Sequence, residues 1–600
     1  MHKGFCNPDP VIGGTVLFQS RFFSDCEAAH VDGWMWPASP NQQASVTCTC
    51  TRYRVCHQLE VSAGLCAMTR FMLRLPDEYK RETLLLVKLA GPVFISQLMS
   101  FLIGFVSLVF CGHLGKTELA GVALAIAVIN VSGISIGSGL ASACDTLISQ
   151  TYGSGNLKLV GVILQRGILI LLLACLPCWA VLVNTQPLLL AVGQSVHVAR
   201  LAQLYVNIFM PALPAAFMYQ LQGRYLQNQG IMWPQVISAA ASNIFNAIIN
   251  YVFLVVLDLG VAGSAAANAI SQCSLMVFLF VYMNARGLHK ATWGGWSLDS
   301  LREWGPFMRL ALPSMMMVCL EWWLYEIAGF LAGLISEVEL GAESILYQLA
   351  VMVFMFPVGF SVAASVRVGN ALGAGNTELA KLCGKVSVTC ALVVSCFTGT
   401  FLALCRNFIA YIFTTDKEIV ARVANVLEMY SASHVADSFA AVTGGIVRGA
   451  GKQTVGALCS LLGYYVVGFP IGVSLMFPIN LGIFGLWAGF LICVVLQSLF
   501  YTIYLCKLNW KKATVEALVR AGVHVREQDK IFVIDSKTCE QQMSNPAANP
   551  SSPEQPEPDA AVPLSIRQLA LRRGLAVLFM FALLGAGVLV SELLVPLQLN

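Results

Sequence analysis

Between residues 83 and 506 the chain repeats one pattern twelve times: an apolar run of about 20 residues or more, closed by a short polar connection. The runs cover 83–110, 117–142, 159–183, 198–220, 232–256, 261–284, 306–334, 341–364, 383–405, 422–446, 454–477 and 481–506. At 1.5 Å per residue, each can cross hydrocarbon about 30 Å thick. Inside a bilayer no water is at hand to pair backbone N–H and C=O groups, so spanning runs of this kind form helices. The expected fold class is therefore an all-α membrane protein. Composition excludes the soluble alternative, because 57% of the residues are hydrophobic and 11% charged, against about half and about a quarter in soluble domains. The net charge of +4 is too small to point to a nucleic-acid partner.

The twelve runs fall into two sets of six. Pro92 and Pro313 lie near the start of the first run of each set; Glu118-Leu119 matches Glu339-Leu340, "GSGN" at 153–156 matches "GAGN" at 373–376, and Gly230 matches Gly451. The offset stays between 220 and 222 residues, which predicts two six-helix lobes related by a parallel internal repeat. Residues 83–284 form the first lobe, 285–305 a cytoplasmic linker, and 306–506 the second lobe. Residues 507–573 read as a cytoplasmic linker that is disordered in part, since "SNPAANPSSPEQPEPDAAVP" has no means of packing a core, and 574–595 form a thirteenth span. Residues 1–75 read as a cysteine-containing, disordered cytoplasmic extension. Lys and Arg concentrate in the even-numbered connections, for example Arg224, Arg286, Lys290, Arg367 and Arg448, which places the N-terminus in the cytoplasm and the C-terminus outside. Most of the 20 cysteines sit singly in apolar runs, where a thiol acts as a small hydrophobe.

The seventh run carries "VCLEWWLYEIAGF" (318–330). Each of its two acids costs roughly 2.5–3.5 kcal/mol at the bilayer centre, so both must face a cavity. With Glu321 at zero and 100° per residue, Tyr325 lies at about 40°, Trp322 at about 100° and Glu326 at about 140°, on one arc. On the tenth run Tyr430, His434 and Asp437 share a face. At the repeat offset Ser100 stands where Glu321 does and Phe105 where Glu326 does, so the lobes differ in chemistry. A helix-locking ion pair is the structural alternative, but no Lys or Arg is evident within the apolar core of a span to make one. Carboxyls buried without a counter-charge exchange protons readily. Aromatic faces at Trp322, Tyr325, Tyr347 and Phe354 can attract an organic cation or simply pack, and Gln97 and Asn130 read as polar cavity groups of the first lobe. His434, one turn from Asp437, is either a satisfied core histidine or a proton relay. "GGIVRGAGKQT" (444–454) resembles a phosphate loop, but its glycine is out of register and Gln453 stands where Ser or Thr would hold magnesium. No enzyme motif is left.

Several stretches resemble the multidrug and toxin extrusion (MATE) family, its vertebrate branch in particular: "FCGHLGKTELA" (110–120), "SACDTLISQTYGS" (142–154), "ATWGGWSL" (291–298), "EWWLYE" (321–326) and "FSVAASVRVGNALGAG" (360–375). The resemblance implies a secondary transporter that exports organic cations and cationic drugs in exchange for protons by alternating access. It further implies no cofactor other than the coupling proton, partners limited to small organic cations and membrane lipids, function as a monomer, and the plasma membrane, apical in epithelia. By motif it assigns proton coupling to Glu321, Glu326 and Asp437, with His434 beside them, and a cavity role to Gln97, Asn130, Trp322, Tyr325 and Tyr347. Two departures stand out. The family's "YELA" is here Tyr347-Gln348-Leu349-Ala350, with Glu343 five residues earlier and expected near the outer mouth, and Asp437 replaces the usual Glu. A sodium-coupled exporter of the same fold and a lipid flippase of related architecture are the other readings.

Overall fold

A computed structural model describes residues 76–112, 114–523 and 566–599; the expectations for 1–75 and for most of the 507–573 linker lie outside them. Among the described residues all regular structure is helical. The first half comprises α1 (Asp77–Gly112), α2 (Thr117–Gly153), α3 (Leu157–Leu182), α4 (Val196–Asn228), α5 (Trp233–Val256) and α6 (Gly260–Ala285). The second comprises α7 (Trp304–Gly333), α8 (Glu337–Gly373), α9 (Thr377–Cys405), α10 (Lys417–Gly449), α11 (Gln453–Met476) and α12 (Ile483–Lys507). After α13 (Trp510–Arg520) comes α14 (Ile566–Leu599), the helix expected at 574–595. Twelve of these are long and apolar enough to cross a membrane; α10 is long enough, at 33 residues, but too polar to meet that standard. Its hydroxyls are satisfied within the helix: Ser431 donates to the Leu427 carbonyl (2.6 Å), Ser438 to that of His434 (2.7 Å) and Thr443 to that of Phe439 (2.7 Å).

The helices outrun the apolar windows. Arg224, Arg367 and Arg448, counted above as loop charges, lie within α4, α8 and α10. Helical backbone continues there because neighbours neutralise the charge. Arg224 Nη1 bonds Asp145 (3.2 Å) and Arg367 bonds Glu82. Residues 510–520, expected to belong to a linker, form α13, which packs on α2, α8 and α9. Asn509 caps it by accepting from Lys512 N (3.0 Å), and Ala513, Thr514 and Ala517 are buried beneath it.

The repeat is visible in the contacts. Gly155 (φ 81°) and Gly375 (φ 76°) close the "GSGN" and "GAGN" turns with left-handed backbone, and Asn156 and Asn376 cap the helices that follow. Just before those turns, α2 crosses α8. A Cβ on Gly153 would stand 2.2 Å from the Asn370 carbonyl oxygen, and one on Gly373 would stand 1.9 Å from that of Gln150. Residues 150 and 370, like 153 and 373, are 220 apart, so this crossing is reciprocal. Gly373→Val is therefore expected to destabilise the fold by about 3 kcal/mol, the upper end for overpacking, because a backbone carbonyl has no rotamer to yield with. Thermal unfolding in detergent reads this, with Gly104→Ala, whose Cβ meets nothing within 4 Å, as the unaffected control.

The contacts between the halves gather on the side that carries the Lys/Arg-rich connections. There α2 meets α8 and α10, α1 meets α8, and the middle of α2 meets α7, while 116–129 and α4 before Met210 pack within their own half. Thr146 Oγ1 donates to the Arg448 carbonyl (2.5 Å), Gln150 Nε2 to that of Gly449 (2.9 Å), and Gln453 Nε2 to Thr146. Beside them Arg520 of α13 donates to Gln150 and Lys452 to Glu516 (2.6 Å). Burial works to raise the Glu516 carboxyl, but the hydrogen bond and charge of Lys452, with the charge of Arg520, overcome it and hold the group below its ordinary value. The stabilisation from Glu516 is present above the ordinary carboxyl value and fades only as pH falls through the depressed one. This clasp thus stays charged near neutrality.

Candidate functional site

In the second half α7, α8, α10 and α12 converge on a cluster of rings. Tyr325 of α7 lies 5.9 Å from Tyr347 of α8, 6.3 Å from Trp487 and 5.6 Å from Phe490 of α12, measured between ring centroids. Trp487 meets Tyr430 of α10 edge-on at 5.3 Å, and Tyr430 lies 5.9 Å from His434. Spacings of three and four residues put these rings on the inward faces of their helices, and edge-on and tilted geometries of this kind add about 0.5–1.5 kcal/mol per pair.

The expected acids border this cluster. Glu321 and Asp437 lie close enough for their charges to act on each other and on Tyr325, and Glu326 acts likewise on Tyr347. Among the described residues no hydrogen bond or ion pair engages Glu321, Glu326 or Asp437. The other deeply placed acids contrast with them. Glu82 is held by Arg367, Asp145 by Arg224, and Glu339 by Arg422 (2.5 Å) and the Ile483 N–H (2.7 Å). One basic residue does come near: Arg448, in the last turn of α10, acts on Glu321 by its charge while donating to Ser361 Oγ (2.8 Å). Arg448 lies beyond the apolar window 422–446, on the three residues by which α10 outruns it, and it makes no ion pair with Glu321 among the described residues.

Trp322 remains 39% exposed beside the acids. Trp323 turns the other way and donates to the Val131 carbonyl of α2 (2.9 Å), next to a π-helical turn, Asn130–Ile134, that starts at Asn130. Phe354 is half-buried and outside the ring cluster. Gln97 lines a separate small polar pocket in the first half with Ser96, Ser100, Tyr219, Gln220 and Arg224, and Asn130 is not among its walls. His434 is fully buried, its Nε2 lies 3.0 Å from Thr398 Oγ1 of α9, and no hydrogen bond joins it to Asp437. Glu343, expected near the outer mouth, lies near the start of α8 and is 2% exposed, and Trp487 Nε1 donates to its Oε2 (2.6 Å). Trp487 and Phe490 were missed as site residues. Their only signal was the three-residue spacing of two rings inside an ordinary apolar run, "GLWAGFL" (485–491).

A helical bundle made of two repeated halves, with unpaired acids beside a cluster of rings in the second half, fits the architecture of a membrane transporter. The MatE family model matches residues 92–252 and 313–474, once in each half. The chain is 64% identical to multidrug and toxin extrusion protein 1 of Danio rerio over 88% of this chain and 94% of that protein, and 50% identical to its namesake in Homo sapiens over 89% and 96%. A crystal structure of a eukaryotic MATE transporter, AtDTX14, superposes with a TM-score of 0.72 at 29% identity, over 74% of this chain and all of that one. The chain belongs to the multidrug and toxin extrusion family of membrane transporters.

Proposed function

We propose that the chain exports organic cations in exchange for protons by alternating access. The observation that carries the reading is that Glu321, Glu326 and Asp437 lack bonded partners among the described residues, in a fold that pairs Glu82, Asp145 and Glu339 with arginines. A proton and an organic cation then compete for the same carboxylates, with the rings of Trp322, Tyr325 and Tyr347 facing the cation. Protonation from outside displaces the cation, the halves reorient, and loss of the proton inside readies the site again. The coupling proton is the only cofactor in this scheme, and a single chain suffices for it. The Lys and Arg of the even-numbered connections support an N-terminus in the cytoplasm and a final helix end outside, and the reading sets the chain in a plasma membrane that is apical in epithelia. The relatives' name, multidrug and toxin extrusion protein 1, accords with such a substrate class and with a transporter rather than an enzyme.

Labelled tetraethylammonium uptake into liposomes containing the full chain tests this, with proton and sodium gradients imposed separately. One-for-one exchange is expected to give roughly tenfold accumulation per pH unit, about 1.36 kcal/mol, with no sodium requirement. Uptake that follows sodium and ignores pH would establish a sodium-coupled exporter instead. Lipid movement without cation uptake would establish a flippase.

A further inference from the structure

Glu343 is a buried acid that the scheme above does not use. It lies on the second turn of α8, one turn before Tyr347, and its side chain points into the packed second half with 2% exposure. One oxygen accepts the indole N–H of Trp487 at 2.6 Å; the other, also buried, has no hydrogen-bond partner among the described residues. Its neighbours supply no counter-charge. Arg422 of α10 is committed to Glu339 at 2.5 Å, and Glu339 lies one turn from Glu343 on the same helix, adding negative charge. The other titratable groups around the cluster are Tyr347 of α8, Tyr325, Glu321 and Glu326 of α7, Tyr430, His434 and Asp437 of α10, and Cys493 of α12, which also faces it with Trp487 and Phe490.

One neutral N–H is poor compensation for a buried carboxylate, since burying a charge without a partner costs several kcal/mol. A carboxylic acid fits the same space better, with one oxygen accepting from the indole and the other carrying a proton. Loss of that proton leaves two oxygens in want of donors where only Trp487 can respond. Trp487 is not an isolated ring. It touches Tyr325 and Phe490 and meets Tyr430 edge-on, and Tyr325 and Tyr430 are the rings on which the charge of Asp437 acts.

We propose that Glu343 is a further proton-exchanging residue of the second half, a positioning residue that acts on the cation site through the ring of Trp487. The proposal rests on the proton-exchange reading above. It adds an acid on α8 to those of α7 and α10, next to Gln348, where this chain has an amide.

Glu343→Gln tests it. The amide keeps the acceptor for Trp487 and the side-chain volume, so a merely structural role is preserved while proton exchange is removed. Two readouts apply to the full chain in liposomes. In tetraethylammonium uptake at a series of external pH values, E343Q is expected to shift the half-maximal pH by at least about half a unit with cation affinity within about twofold of the original. In tryptophan emission, the pH-dependent difference between the original chain and Trp487→Phe is expected to vanish when E343Q is present. Superimposable uptake profiles together with an unchanged Trp487 signal would overturn the proposal and leave Glu343 a structural acceptor. If the original chain's uptake ignores the proton gradient, the antiport reading fails, and the emission alone decides: a Trp487 titration removed by E343Q sustains proton exchange at Glu343, and its absence refutes it. Should E343Q fail to fold, Trp487→Phe alone is expected to move the uptake profile, since it cuts the link from the other end; an unmoved profile overturns the proposal.

Discussion

Glu321→Gln is expected to abolish cation uptake driven by a proton gradient while leaving the melting temperature of the protein unchanged. The two halves of that expectation come from one observation, that Glu321 has no hydrogen bond or ion pair to lose. Replacing it with an amide of the same shape orphans no donor, and the basic residue whose charge acts on it, Arg448, keeps its bond to Ser361. Function has more to lose. A carboxylate about 4 Å from a cation is worth on the order of 4 kcal/mol at an effective dielectric of 20, roughly a thousandfold in affinity, and the amide also removes a proton carrier. Glu326→Gln is expected to weaken uptake less, because the charge of Glu326 acts on Tyr347, whereas Glu321 and Asp437 act on each other and both on Tyr325. Full gradient-driven uptake by E321Q in liposomes would sink the mechanism.

The twelve runs and their 220-residue offset were legible because membrane solvent imposes a strong rule, helices or nothing, and because a repeat leaves matched turns such as those at Gly155 and Gly375. The acid-bearing arc of α7 was legible for a similar reason, since charge in an apolar run has few explanations. What sequence periodicity did not give was the partner across a helix interface. Glu343 looked peripheral by its place near the start of α8, and only the approach of Trp487 from α12, 144 residues on, shows it to be interior. Arg224, Arg367 and Arg448 looked like loop charges for the same reason. Each is neutralised or bonded by a residue distant in sequence, and nothing local records that. Trp323 likewise packs against the other half through Val131, a contact its own run does not record.

Glu82→Ala is expected to loosen the contact between the halves by about 3 kcal/mol. Arg367 Nε and Nη2 donate to the two Glu82 oxygens at 2.6 and 2.7 Å, a forked pair between α1 of the first half and α8 of the second, and Cys383 of α9 donates its thiol to the same carboxylate at 3.0 Å. Removing one member of a buried pair costs about 3–5 kcal/mol because the other charge stays behind. The lower end applies here, since the Arg367 side chain retains 22% of its exposure and water can reach it. Removing both partners should cost less than removing either, and a double-mutant cycle with Arg367→Ala measures the difference. Cys383 supplies the local readout, being fully buried against the pair while it is closed. If α1 parts from α8 and α9 as the halves rock, E82A should raise modification of Cys383 by a water-soluble maleimide, followed by mass spectrometry, by roughly a hundredfold, the equivalent of about 3 kcal/mol. Cys383 protection unchanged in E82A would show that the forked pair is not what holds the two halves together on this side.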